Sequence, residues 1–457
     1  MTMKKQNLRY MKWIGKMIVL LFIFNFQFSI FDCSAQRVSL DECLEKALES
    51  NFSIKIIRNE ARMDKNNLNY STFLPTLEGT AKQTQTRNDT KTENSAGEVN
   101  KMSDVKTDNY TAGVALNWRI FDGLEMFTTH EKQKELLAMG ELAVQQAVEN
   151  LILNVSAAYY NVLVQHHKLM AARHSLELSN ERYDEARVRY KIGNRSGLEA
   201  QQAKIDLNTD SSTYVRQKEA LKSAYITLNK LMNTDLQMVN YVQDTILLGP
   251  QLALGTLEQK TLAGNTTLLI AKKDQKISAL DLKNARAVLF PTLDFNSGYN
   301  YNKTDTPSSS TTLNRSNGFY WGFSLNVPIF SRLQNRTKIK NAKLELENTE
   351  FSYQEAEKET LGDLALMYNS YENNLLMVNF EIESASVAEA NLDAALEKYK
   401  IGSLSGIEFR EFQRSYIDAV DRKLSAIYQA KVSELSLLLL SGDIRGSFVS
   451  EESVISS

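Results

Sequence analysis

Two stretches of this chain are written from one template. Tyr190-Lys191-Ile192-Gly193 recurs as Tyr399-Lys400-Ile401-Gly402, 209 residues later. Ser196-Gly197 recurs as Ser405-Gly406 at the same offset, and so do Gly113 and Gly322, Leu116-Asn117 and Leu325-Asn326, and Ile120-Phe121 and Ile329-Phe330. Pro75-Thr76-Leu77 recurs as Pro291-Thr292-Leu293 at an offset of 216, so one loop differs by seven residues. The period is far too long for a solenoid. By length alone, 457 residues suggest two or three ordinary domains. The repeat instead makes the chain one protomer written twice, with a first copy at 36–250, a second at 251–441 and a tail at 442–457.

Each copy reads as helix, two strands, long helix, tight turn, returning helix. The strands are expected at about 76–88 and 107–121, and at about 292–303 and 318–330. Their signal is period-two alternation. In Phe319 to Ile329 one face is Phe319, Trp321, Phe323, Leu325, Val327 and Ile329, and the other is Tyr320, Gly322, Ser324, Asn326 and Pro328. Polar loops at Asp89 to Lys106 and Thr304 to Asn317 separate each pair. Long helices are expected at 123–191 and 332–401, with returns at 197–233 and 406–441. A helix of that size measures roughly 100 Å. Val144, Val148, Leu151, Val155, Ala158, Val162, Gln165, Leu169, Ala172 and Leu176 step by fours and threes, as a coiled-coil seam does. Leu361, Leu364, Tyr368, Tyr371, Leu375 and Val378 begin the equivalent seam in the second copy. Gly193 and Gly402 suit the left-handed residue that ends a helix, and Ser196 and Ser405 suit the cap of the next. Only 5 prolines occur, and none lies in the long helices.

The N-terminus reads as a cleaved signal, residues 1–35. Lys4, Lys5, Arg9, Lys12 and Lys16 precede an apolar run from Met17 to Phe24, and Cys33-Ser34-Ala35 offers small residues for cleavage. Lipidation of Cys33 is the alternative, although Phe31 and Asp32 stand where small residues are wanted. The run is too short to span a membrane. Removing the signal takes the net charge from -2 to about -6, which argues against a nucleic-acid partner. An exported chain without a spanning helix enters a membrane only as a barrel. The alternating, aromatic strands suit one, with a small, wet inner face. Four strands cannot close, since the smallest barrels have about 8. Copies of the chain must therefore pool them.

With the duplication, the helix-end Asn51 and Asn265, the pair Leu74-Pro75-Thr76-Leu77 and Phe290-Pro291-Thr292-Leu293, and both Tyr-Lys-Ile-Gly turns, the chain resembles the TolC family of outer-membrane efflux and secretion channels over almost all of its mature length. The resemblance implies a mainly α protomer with membrane β, in which four strands and long coiled-coil helices build a trimeric barrel and a periplasmic tunnel. It implies an exit duct in the outer membrane, contacting its lipid, served by a periplasmic adaptor and an inner-membrane pump of RND or ABC type. It implies no cofactor. The docking tips would be Tyr190, Gly193, Ser196 and Gly197 in the first copy, and Gly402, Ser405 and Gly406 in the second. The gate would involve Glu408, Glu411, Glu199, Arg195 and Tyr399. Glu408 and Glu411 share a helical face, and in a trimer would form two acidic rings that select cations. Glutamates in a first helical turn also simply complement its dipole, so both readings stand. The family often has an Arg in its second tip. Here that place is Leu404, while Arg195 sits in the first tip, which implies different closing contacts.

Other classes fit less well. His130, His166, His167 and His174 form no spaced metal motif, and there is no phosphate loop or nucleophile motif, so an enzyme is not expected. A coiled-coil structural or adhesive surface protein remains the alternative, but leaves the membrane-type strands and the duplication without a reason. A periplasmic adaptor needs only one hairpin.

Overall fold

The computed structural model describes residues 38–93, 95–192, 197–239, 242, 245–307 and 312–447. The expected signal segment, the tip residues Gly193, Arg195 and Ser196, and the end of the tail lie outside the described residues. In chain order the elements are α1 (Leu40–Ser50), α2 (Phe52–Asn67), β1 (Thr76–Glu93), β2 (Val99–Phe121), α3 (Glu125–Lys191), α4 (Gly197–Leu231), α5 (Leu254–Gly264), α6 (Thr266–Ala287), β3 (Thr292–Asp305), β4 (Leu313–Asn326), α7 (Gln334–Lys400) and α8 (Gly406–Leu440). One order thus occurs twice, each time ending in a 67-residue helix and a 35-residue helix. The chain gathers into two compact units. A sheet unit holds Ser50–Leu153, Leu248–Leu376 and the residues from Ala430 on, and a helical unit holds the residues up to Glu49, Asn154–Leu247 and Met377–Gln429.

In the sheet unit, two asparagines start helices. Asn51 Oδ1 accepts from the Ser53 amide at 2.9 Å, and Asn265 Oδ1 from the Leu268 amide at 3.1 Å. Each satisfies an amide that the first turn leaves without an intrahelical acceptor. The Asn265 amide group also donates to the Leu440 carbonyl at 2.9 Å, tying α6 to the end of α8. Leu257, Leu364, Tyr371 and Leu437 form a buried cluster between α5, α7 and α8, each apolar side chain contributing about 1.5–3 kcal/mol.

The sheet is antiparallel in the order β1-β2-β3-β4. Register puts Leu77 beside Leu116, Val114 beside Tyr299, and Tyr299 beside Phe319, so apolar side chains share one face. Phe295 and Phe323 tilt together there at 5.1 Å. The opposite face is polar: Arg119 Nε donates to Asp294 at 2.9 Å, and Asn296 reaches Ser324 at 3.4 Å. Strands β1 and β2 run further than the alternation predicts. The loop's polar residues pair as well, for example Thr92 with Asn100, past a bulge where Asp89 Oδ1 accepts from the Asp104 amide at 2.8 Å. Strand β4 ends at Asn326, ahead of Pro328, which has no amide to give a ladder. Gly123, at φ +76, turns β2 into α3, and a Cβ there would stand 2.5 Å from the Ala287 carbonyl oxygen.

The helical unit begins with a reciprocal cap, in which the Ser39 amide donates to Glu42 at 3.1 Å and the Glu42 amide to Ser39 Oγ at 3.2 Å. Val155, Tyr159 and Val162 are buried along α3, as are Ala203 and Leu207 on α4 and Val378, Ala385 and Leu392 on α7. The expected α3 seam departs from its course after Ala172. Leu176 is half-buried, and Ser175, Ser179 and Arg182 are buried in its place. Polar partners on neighbouring helices, described next, account for the change.

Candidate gate and docking site

The α7–α8 turn is closed by local chemistry. Gly402 has φ +79, its amide donates to the Tyr399 carbonyl at 3.0 Å, and the Ser403 amide donates to the Lys398 carbonyl at 2.9 Å. This pair of bonds satisfies carbonyls that the end of α7 would otherwise leave bare. Ser405 then caps α8. Its Oγ accepts from the Glu408 amide at 3.2 Å, while Glu408 Oε2 accepts from the Ser405 amide at 3.0 Å and the Ser405 hydroxyl at 2.8 Å. Those hydrogen bonds, led by the backbone one, hold the Glu408 carboxyl below its ordinary value.

Beneath the turn, Tyr399 is buried and stacks on Phe409 with ring centroids 5.2 Å apart. Leu178, Leu392 and Ala395 complete that cluster, and Leu404 packs against it. Where the resemblance leads one to look for an Arg, this chain therefore adds to an apolar core. The Arg189 guanidinium lies 5.4 Å from the Tyr399 ring centroid. Burial pushes the Tyr399 phenol above its usual range, and the hydroxyl has no hydrogen-bond partner among the described residues.

A cavity of about 350 Å³ opens beside this cluster, lined among others by Leu198, Glu199, Tyr399, Ser405, Gly406 and Ile407. It brings together residues of both hairpins that the family resemblance implies for tips and gate. Gly197 abuts the Tyr190 ring, 3.0 Å from where a Cβ would stand. Ile192, Leu198, Ile401 and Ile407 are each 70% exposed or more. Glu411 does not join the cavity. It is exposed, 3.7 Å from Arg414 on the next turn.

One turn further along the helices lies a polar layer that sequence reasoning missed. Arg410 on α8 donates to both oxygens of Asp210 on α4, at 2.6 and 2.8 Å. Ser179 Oγ donates to Asp210 at 2.5 Å, and Gln413, fully buried, donates to the Ser175 carbonyl at 2.8 Å. Arg182 pairs with Asp206 and donates to the Gly406 carbonyl at 2.9 Å. Asp210 continues the α4 seam of Ala203 and Leu207, and Gln413 follows Phe409 by four on α8. Polar residues at seam positions were the available signal, since such residues fix register in coiled coils.

No group of His, Cys, Asp and Glu able to hold a metal ion occurs among the described residues. No helix among them is long and apolar enough to cross a membrane.

Comparison with known proteins adds a family. The family described as outer membrane efflux protein matches residues 43–234 and 257–443, one segment in each copy of the repeat. Among curated relatives, the probable outer membrane lipoprotein SilC of Salmonella typhimurium is 22% identical over 74% of this chain and 73% of its own. The cation efflux system protein CusC of Escherichia coli K12 is 23% identical over 69% of each. Among solved structures, the Campylobacter jejuni CmeC outer membrane channel superposes with a TM-score of 0.75 at 18% identity, over 89% of this chain and 86% of that one.

Proposed function

The chain belongs to the outer membrane efflux protein family, and we propose that three copies pool four strands each into one membrane barrel that passes cargo out of the periplasm. The two-faced sheet carries this reading. Its apolar face offers Leu77, Val114, Tyr299, Phe319 and Phe323 to lipid, and its other face offers Arg119, Asp294, Asn296 and Ser324 to water. Within one chain β1 and β4 each have a neighbour on one side only. An open edge in hydrocarbon costs several kcal/mol per bare polar group, so closure requires other copies. The signal segment 1–35 would take the chain across the inner membrane.

The exposed Ile192, Leu198, Ile401 and Ile407 support the docking of a periplasmic adaptor, which would hold the duct on an inner-membrane pump of RND or ABC type. The cavity with Glu199 and Tyr399 would receive an apolar side chain of that adaptor. Gly193, Arg195 and Ser196, outside the described residues, would complete the first tip by family resemblance. Glu408 and Glu411 would line the periplasmic constriction. Cargo is chosen upstream, because a wide wet duct makes few specific contacts.

Fractionation tests the whole. The protein is expected in the outer membrane as a trimer that conducts ions in planar bilayers. Recovery as a soluble periplasmic monomer overturns the proposal.

A further inference from the structure

We propose that Lys303 and Arg315 form a binding site for the phosphate of a lipid headgroup, in the leaflet nearer the β1–β2 and β3–β4 connections. The inference rests on the channel reading, which puts the apolar face of the sheet in lipid. On that face, successive rows across β2, β3 and β4 are Leu116, Ser297, Trp321, then Val114, Tyr299, Phe319, then Ala112, Tyr301, Asn317. The next row is Tyr110, Lys303, Arg315. Leu293 to Lys303 spans about 34 Å along the strand, and a strand tilt of about 35–45° shortens that to about 24–28 Å across the membrane, the height of the roughly 25 Å apolar band of such barrels. The cations therefore stand where hydrocarbon gives way to headgroups.

Their arrangement calls for an anion. Lys303 and Arg315 are direct partners across β3 and β4, and like charges so placed repel. Neither lies within ion-pair distance of a carboxylate among the described residues. Lys303 Nζ instead sits over the Tyr110 ring, 5.3 Å from its centroid. Two acids share the face. Asp108 and Asp305 are partners one row beyond the cations; Asp108 is engaged by Lys106 at 3.1 Å and by Gln85 at 2.7 Å, and its pull on Lys303 is weaker than on Lys106. Closing the barrel would lay β1 of a neighbouring copy against β4. From Leu77 to Arg87 the same face of β1 carries Gly79, Ala81, Gln83 and Gln85, so that stretch brings no carboxylate to Arg315. Two adjacent cations with one open side suit a phosphate, which the Arg fork grips by two oxygens and Lys meets as a point charge. Tyr110 and Tyr301 flank the site as interfacial aromatics do.

The full-length protein is reconstituted in nanodiscs of phosphatidylcholine with a minor fraction of lipid A, whose sugar phosphates are anionic, or of its dephosphorylated form. Retained lipid is counted by native mass spectrometry. The wild type is expected to retain the phosphorylated form preferentially, and K303Q/R315Q to lose about tenfold of that retention, while K303R/R315K keeps it. Conductance should be unchanged in all three. Equal retention of both lipids, or by wild type and K303Q/R315Q, overturns the site while leaving a conducting channel intact. A wild type that neither inserts nor conducts overturns the channel reading and this site with it.

Discussion

Arg410 holds both carboxylate oxygens of Asp210, and Ser179 and Gln413 converge on the same acid. The pair is largely shielded, with side chains 14% and 9% exposed. Removing one partner would strand the other charge in the seam. Asp210→Asn or Arg410→Met is therefore expected to cost about 3 kcal/mol in urea unfolding of the detergent-solubilised protein. The double replacement Asp210→Leu with Arg410→Met should recover most of that loss. Single variants no weaker than an exposed pair, with costs under about 1 kcal/mol, would show that the layer is solvated.

The cap at the second tip makes a pH prediction. Glu408 is held below its ordinary value by hydrogen bonds from Ser405. A depressed carboxyl adds stability above its unfolded value and loses it as pH falls through the folded one. The start of α8 should thus be protected from hydrogen exchange near neutrality and lose protection as pH falls below the ordinary glutamate range. Ser405→Ala should weaken the start of the helix by about 1 kcal/mol near neutrality, and by less in acid, where its hydroxyl no longer meets a charged carboxylate. Exchange at the Ser405 and Glu408 amides reads both effects. Protection that is flat with pH contradicts the carboxylate's part in the cap.

Strands and turns were legible because their signals are local. Alternation of Phe319, Trp321, Phe323 and Leu325 needs only a window of a few residues, and the Tyr399 to Gly402 turn repeats one in the first copy. The polar layer was not legible. Ser175, Asp210 and Gln413 are separated by 35 and 203 residues, and their meeting depends on which helix faces meet. Local spacing predicts an apolar stripe through Leu176, yet Ser175 and Ser179 take the buried positions because Asp210 and Gln413 satisfy them. Glu408 illustrates a different gap. The Ser405-Gly-Ile-Glu408 spacing is a capping-box pattern visible in sequence, and its geometry now accounts for one of the two glutamates without reference to a gate.

That division sharpens the test of the acidic rings. Glu408→Gln keeps the acceptor that the cap needs and removes only the charge. Glu411 is exposed and tied loosely to Arg414 at 3.7 Å. In single-channel recordings with Mg²⁺ on one side, Glu411→Gln is expected to relieve cation block more than Glu408→Gln, and the double variant most. If the double variant conducts and blocks as the wild type does, neither residue lines the constriction.

The two faces of the sheet should respond oppositely to one substitution. Phe319 lies in the middle of the apolar rows beside Tyr299, whereas Ser324 lies beside Asp294 on the polar face. Lysine at a lipid-facing midplane position costs about 2–4 kcal/mol in a membrane barrel, and three copies would each carry that cost. Phe319→Lys is therefore expected to abolish heat-resistant trimer on gels and to lower outer-membrane yield. Ser324→Lys should leave the trimer intact and shift ion selectivity toward anions, because the added charge stands in water beside the lumen. The opposite pattern, with Ser324→Lys failing to assemble and Phe319→Lys conducting normally, would invert the sheet and refute the assignment of its faces.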